Sequence, residues 1–151
     1  MTSQPVVKLI KAEDTIDLRS RILRPGQNLE LCRYPEDNLP TSFHLGIFEG
    51  NKVICNGTFI QQGHSHFPSA KLPYRLRGMA SDKEYQRQGL GQALLKEALV
   101  YLKQKNCDLI WFNARVSAEG FYEKLGYQKI DEIFDIPTIG PHKVMFQWLN
   151  T

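Results

Sequence analysis

The sequence predicts an α/β fold, a sheet of mixed strand direction packed by helices, built as a single domain over residues 1–151. Two observations lead there. The apolar pattern runs strand, helix, strands, helix, strand, helix, strands, an order that builds one sheet with helices laid against it. A length of 151 residues with 42% apolar side chains suits one substantial core and gives no sign of a second.

The elements follow in order. "PVVKLI" (5–10) is a β-rich run, and "AEDTIDLRSRIL" (12–23) spaces Ile16, Arg19 or Ser20, and Leu23 at a helical period with acids in its first turn. Pro25 and Gly26 stop that helix, and residues 28–40 form a polar, proline-punctuated connection. "FHLGIF" and "KVICNGTFI" flank "EGN", which predicts a β-hairpin over 43–61. After a loop at 62–73 comes the strand "YRLRGMA" (74–80), whose internal Gly78 marks a bulge or a close backbone approach. In "GLGQALLKEALVYLKQKN", Leu94, Ala98 and Tyr101 interleave with Leu95, Leu99 and Leu102 to give a long amphipathic helix, with Asn106 as a left-handed terminator. "DLIWFNA" (108–114) is a buried-type strand, and "SAEGFYEKLG" is a short helix with Ser117 as N-cap and Gly126 beyond its end. Extended runs at 127–136 and 143–149 close the chain, and His142 stands just before the last of them, on a rigid Gly-Pro corner.

Charge and composition narrow the function. A formal net charge of +3 with both signs scattered is a weak footprint for a nucleic-acid binder, while small anions remain suitable partners. Cys32, Cys55 and Cys107 are odd in number, far apart and lack CxxC spacing, so they are expected as buried thiols in a reducing compartment. The start lacks the apolar stretch of a signal peptide and no window approaches ~20 apolar residues, so a soluble, cytoplasmic chain without membrane contact is expected. His64 and His66 have no third ligand nearby in sequence, so no metal site is expected, and His44 is a hairpin face residue.

The strongest motif is "EYQRQGLGQALL". Gly89 and Gly91 sit where the first N–H groups of the long helix have no helical acceptor, and those donors add to the positive end of the helix dipole. A phosphate fits there without a lysine clamp. A dinucleotide fingerprint would place Gly or Ala at position 94, which is Leu94, and an acid where "FNA" ends the next strand.

Gln86-x-x-Gly89-x-Gly91 between strand and helix resembles the pyrophosphate-binding motif of the GCN5-related N-acetyltransferase (GNAT) family, and "NARVSAEGFYEKLGY" resembles that family's later signature, a strand ending in Asn and a helix carrying Tyr. Across almost the whole chain "AEDTIDLRSRILRPGQ", "YRLRGMA", "WFNAR" and "DIPTIGPH" look like the bacterial glyphosate N-acetyltransferase group. The resemblance implies a mostly antiparallel sheet with splayed central parallel strands and helices on both faces. It implies acetyl-CoA as co-substrate and no metal, with the pyrophosphate on Arg87, Gln88, Gly89, Leu90, Gly91 and Gln92. Main-chain groups of Met79 and Ala80 would hold the pantetheine arm, Met79 polarising the thioester carbonyl, and Asn113 would contact the pantetheine.

The resemblance also implies roles in the chemistry. Tyr122 would reach the sulfur as general acid and His142 would be the general base. Histidine suits that task because its ordinary pKa, ~6.5, lies near neutrality, and guanidinium neighbours favour its neutral form. Arg24, Arg77 and Arg115 match positions that bind the carboxylate and phosphonate of an acidic amine, which a planar guanidinium grips with two bonds. Arg75 and Arg77 flank Leu76, and the irregularity at Gly78 decides which faces the cleft side. The expected function is N-acetylation of a small, acidic amino-acid-like substrate, glyphosate-like or an aminophosphonate, by direct attack in a ternary complex. Two other functions fit the motifs: acetylation of a protein or peptide amine, and an acyl-CoA-binding module without catalysis. By residue type alone, His142 also suits a turn residue bonded to a carbonyl, Tyr122 a rim aromatic, and Arg24 and Arg115 surface ion pairs. The 28–40 and 62–73 loops are expected to shape the acceptor pocket, and monomer and homodimer both remain open.

Overall fold

A computed structural model describes residues 5–149. The chain gathers into two compact units, Met1–Ile60 with Arg77–Tyr101, and Gln61–Leu76 with Leu102–Thr151. The strand Pro73–Ser81 (β4) contributes its first half to the second unit and its second half to the first.

In the first unit, β1 (Val7–Ile10) pairs antiparallel with β2 (Phe43–Glu49) from Val7↔Ile47 to Ile10↔His44, and β2 pairs antiparallel with β3 (Lys52–Gln61) from Phe43↔Phe59 to Glu49↔Lys52. The predicted hairpin is present, with an irregularity between Ile47 and Phe48. Phe43 stacks on Phe59 across the pair, ring centroids 4.9 Å apart. Residues 54–60 of β3 are buried without a break, as expected of a strand covered on both faces.

The predicted 12–23 helix forms in three geometries. A 3₁₀ turn (Ala12–Thr15) leads to a short α-turn, α1 (Ile16–Leu18), and then a wider π-type turn (Arg19–Leu23). Arg19 lies three residues after the buried Ile16, on the face the helical period assigns it, and is fully buried although arginine is a residue type normally left at the surface. The connection at 28–40 contains two further 3₁₀ turns, Leu29–Cys32 and Pro35–Asn38. The long helix, α2 (Leu90–Gln104), buries Leu90, Leu94, Leu95 and Ala98 along one stripe, each leucine contributing about 1.5–3 kcal/mol by leaving water.

In the second unit, β4 runs parallel to β5 (Leu109–Arg115) from Pro73↔Leu109 to Arg75↔Trp111. Antiparallel to β5 lies β8 (Gly140–Trp148), which also carries β6 (Gln128–Lys129) and β7 (Phe134–Ile136). The fold is therefore a mixed α/β sheet, mostly antiparallel with one parallel pair and flanking helices. Directly opposed residues share a face, so Leu109, Trp111 and Val144 form one cluster with Phe67. Phe112, one residue out of phase, meets Tyr122 of α3 (Glu119–Lys124) and Tyr127 on the other face.

Several expectations are borne out: Asn106 ends α2 at φ 63°, Gly126 follows α3 at φ 96°, and all three cysteines are buried. Others are corrected. Ser117 does not cap α3, because it lies inside a 3₁₀ turn, Val116–Ala118, and Ala118 holds the cap position without a side-chain bond. The run 127–136 is two short strands rather than one. β8 begins at Gly140, so His142 sits inside a ladder instead of on a corner before it. Among the described residues no helix is long and apolar enough to cross a membrane.

Candidate active site

In the first unit, the segment ahead of α2 is prepared for an anion by its backbone. Arg87 and Gly89 both adopt positive φ, 65° and 80°. Ala93 N–H is bonded to the Gly89 carbonyl, which leaves the preceding N–H groups of Leu90, Gly91 and Gln92 without helical acceptors. A Cβ built on Gly89 would meet nothing within 4 Å, so its main chain is open to a ligand. Donors, dipole and open approach fit the pyrophosphate of acetyl-CoA. An adjoining groove of about 1050 Å³ is lined by Phe48, Tyr85, Gln88, Gly89, Gln92 and Lys96. Asp82 fixes the loop's entry: its carboxylate accepts from Arg21 Nη2 at 3.0 Å, Lys52 Nζ at 3.1 Å and Glu84 N–H at 3.2 Å. Arg21 and Lys52 hold that carboxyl down to about 2.

The predicted irregularity in β4 is real. Gly78 has φ 65°, and its carbonyl accepts from the side-chain Nδ2 of the fully buried Asn56 at 3.0 Å. The parallel ladder ends at Arg75, before this point, and Met79 and Ala80 follow it, Ala80 buried. Glycine is required here for two reasons: the left-handed backbone, and a space in which a Cβ would lie 3.0 Å from Arg19 Nε and 3.3 Å from Tyr34.

What fills that space is a buried polar knot. Arg19 Nη1 donates to the Cys32 carbonyl and Asp37 Oδ2, both at 2.8 Å, and Nη2 to Asp37 Oδ1 at 2.9 Å and Thr58 Oγ1 at 2.7 Å. Thr58 Oγ1 accepts from Arg19, and His44 Nε2 donates to the Asp37 carbonyl at 2.9 Å, so in the neutral ring His44 Nδ1 accepts from Thr58 Oγ1 at 2.7 Å. His44 is thus a network member as well as a face residue. Burial would raise the Asp37 carboxyl, but the bonds and charge of Arg19 outweigh it and hold the group below the usual range.

Tyr34 lies between two guanidiniums, Arg19 at 3.8 Å and Arg77 at 3.9 Å from its ring centroid. One ring face has room for one such group at that distance, so the two cations take opposite faces. Arg77 also donates from Nη1 to Glu36 Oε1 at 3.3 Å, and both side chains remain partly open to solvent. Arg24 ends the helical stretch and donates to Gln27 Oε1 at 3.3 Å. Among the described residues Arg24 and Arg77 share no side-chain partner.

In the second unit, Arg115 and His142 are direct partners across the β5–β8 ladder, and Asn113 stands two residues further along the same face, opposite Val144. His142 is 4% exposed and stacks on Phe134, centroids 6.0 Å apart. Its Nδ1 lies 2.7 Å from the Gly140 carbonyl. A carbonyl can only accept, so Nδ1 carries the proton and neutral His142 keeps a bare lone pair on Nε2. Tyr122 is buried on the other sheet face against Phe112, centroids 4.5 Å apart, with Phe121 at 5.0 Å. Its helix is tied to β8 by Lys143 Nζ donating to Glu119 at 2.6 Å. Arg75 stacks over Trp111 at 5.0 Å. Beside Asn113 a pocket of about 300 Å³ is lined by His64, His66, Glu132, Phe134 and Val144. Among the described residues no group of three or more His, Cys, Asp and Glu side chains is arranged to hold a metal.

Residue-level reading of the sequence missed Asn56, Arg19, Asp37, Tyr34 and Glu36. The bonds that give them meaning join residues 13 to 41 positions apart, and no local pattern marks such pairs.

Comparison with known proteins gives the same direction as the anion cradle. Residues 41–129 match the acetyltransferase (GNAT) domain family. The chain is 43% identical over 145 residues to the "Uncharacterized N-acetyltransferase YitI" of Bacillus subtilis (strain 168), covering 96% of this chain and 97% of that protein. Among solved structures, the ribosomal-protein-S18-alanine N-acetyltransferase from Escherichia coli superposes with a TM-score of 0.73 at 18% identity, over 98% of this chain and 96% of that one. The NatC complex bound to Gag peptide and CoA gives 0.77 at 16%, over 98% and 100%. At these identities the structures speak to the fold alone. Since the family match spans more than half of the sequence and an N-acetyltransferase relative spans nearly all of it, this chain belongs to the GNAT acetyltransferase family and is an N-acetyltransferase.

Proposed function

We propose that the chain acts as one acetyltransferase domain that transfers acetyl from acetyl-CoA to the amine of a small, acidic amino-acid-like compound, a glyphosate-like molecule or an aminophosphonate, by direct attack in a ternary complex. The observation that carries this is the His142 tautomer: with Nδ1–H committed to the Gly140 carbonyl, Nε2 is the nitrogen able to take a proton. Acetyl-CoA, once bound, supplies an acetyl group activated as its thioester. The N–H groups of the Arg87, Gln88, Gly89, Leu90, Gly91 and Gln92 segment hold its pyrophosphate, main-chain groups of Met79 and Ala80 and the carboxamide of Asn113 hold the arm, and Met79 N–H polarises the thioester carbonyl. His142 Nε2 removes the amine proton as the new N–C bond forms, and the Tyr122 hydroxyl gives its proton to the sulfur as the C–S bond breaks.

Arg24, Arg77 and Arg115 are assigned to the acceptor's acid groups. Arg77 supports this reading best, because its guanidinium is oriented by Tyr34 yet stays partly open to solvent. The positive field of the same guanidiniums also lowers the pKa of the acceptor's amine and eases its deprotonation.

The test is thiol release from acetyl-CoA with a panel of amino acids, aminophosphonates, neutral amines and peptides, run on the wild type and on His142→Ala. The proposal expects acidic amines to be preferred and His142→Ala to lower kcat by roughly 10²–10⁴-fold with little change in KM for acetyl-CoA. A His142→Ala enzyme at full rate would remove the base assignment. A preference for peptides would replace the acceptor class, and silence with every amine would leave an acyl-CoA-binding module.

A further inference from the structure

We infer that Glu36 is a built-in counter-anion for Arg77, competing with the acceptor's acid group and so setting how strongly charged an acceptor must be to bind. This rests on the reading of Arg77 as an acceptor ligand. Three observations carry it. First, the Arg77 guanidinium is held face-on by Tyr34 at 3.9 Å, and its only hydrogen bond among the described residues is the one from Nη1 to Glu36 Oε1 at 3.3 Å. Second, the backbone that presents Glu36 is fixed. Its neighbour Asp37 is clamped by Arg19 and accepts from Tyr34 N–H at 3.0 Å, and the Glu36 carbonyl accepts from Ser42 Oγ at 2.7 Å. Third, the two charged ends stay partly open to solvent, 24% for Arg77 and 32% for Glu36. An ion pair in that setting is weak enough to be exchanged, unlike the buried Arg19–Asp37 pair one residue away.

The consequence is a filter. A neutral amine gains nothing by approaching Arg77, because Glu36 already balances its charge. A carboxylate or phosphonate that grips the guanidinium with two oxygens can outcompete the single bond to Glu36, and a dianion does so better than a monoanion. Glu36 also keeps Arg77 ordered before the acceptor arrives, so the arginine does not lose its side-chain freedom at the moment of binding.

A double-mutant cycle tests this: wild type, Glu36→Gln, Arg77→Met and the double variant, with KM and kcat measured for one acidic amine and for acetyl-CoA. Removing the competing charge while keeping the side chain's shape should lower KM for the acidic amine by about two- to fivefold, the size expected of a partly exposed ion pair, with KM for acetyl-CoA unmoved. In the Arg77→Met background the Glu36→Gln effect should vanish. If Arg77→Met raises KM but Glu36→Gln changes nothing, or if Glu36→Gln acts equally without Arg77, the counter-anion role is wrong and the anion pocket stands. If Arg77→Met leaves KM for acidic amines untouched, it is the acceptor reading that fails.

Discussion

Arg19 and Arg77 stack on the two faces of one tyrosine ring and share almost nothing else. Arg19 is fully buried, with its Nη1 and Nη2 donors spent on Asp37, Thr58 and the Cys32 carbonyl. Arg77 keeps a single ion pair in partial contact with water. The difference teaches what separates a structural cation from one able to bind. Full burial with both Nη groups bonded to the protein makes the Arg19 guanidinium part of the scaffold, even though its Nε–H finds no partner, because no ligand can reach it. Orientation by a ring without saturation of the donors leaves a group that is positioned and still able to exchange partners.

The strongest way to break this contrast is Arg19→Met. It leaves the Asp37 carboxylate buried without its partner, and a loss of roughly 3–5 kcal/mol in unfolding free energy is expected by denaturant titration. Arg77→Met should cost under about 1 kcal/mol in the same measurement, the range of exposed pairs, and show its effect in KM instead. Equal losses from the two variants would erase the distinction.

Acid sharpens the comparison on a smaller scale. The Asp82 carboxyl falls from 3.8 to about 2 in the folded chain because Arg21 and Lys52 favour its charged form, and Arg19 keeps Asp37 below its ordinary value despite burial. A depressed folded pKa means that the unfolded chain binds more protons at low pH, so this stabilisation is complete above the unfolded value near 3.8 and is lost as pH falls through the folded value. Melting temperature should therefore drop between about pH 4 and pH 2, and Asp82→Asn should flatten part of that drop. A variant with the wild-type acid profile would show that the Arg21–Lys52 clasp contributes nothing.

Much of the fold could be read locally. The stripe of Leu94, Leu95 and Ala98 announced α2, Asn106 and Gly126 announced its end and that of α3, and the β-branched and aromatic runs on either side of "EGN" announced the hairpin. Gly78 was legible as an irregularity but its cause was not, since Tyr34, Arg19 and Asn56 reach it from distant segments. His142 was legible as a candidate and misplaced as a corner residue. Gly140 and Pro141 look like turn formers until β7 pairs with them. Residues 134–136 fall in a run the sequence marks as extended, but nothing local names Gly140, Pro141 and His142 as their partners.

By itself, then, the sequence determined the order of helices and strands and the glycine-opened backbone before α2, because periodicity and positive φ act within a few residues. Tertiary structure alone decided which arginine is scaffold and which carboxylate faces Arg77. Each depends on a burial or a hydrogen bond that exists only after distant segments have met, and the free energy of a charge or a proton is set by those neighbours rather than by its own position in the chain.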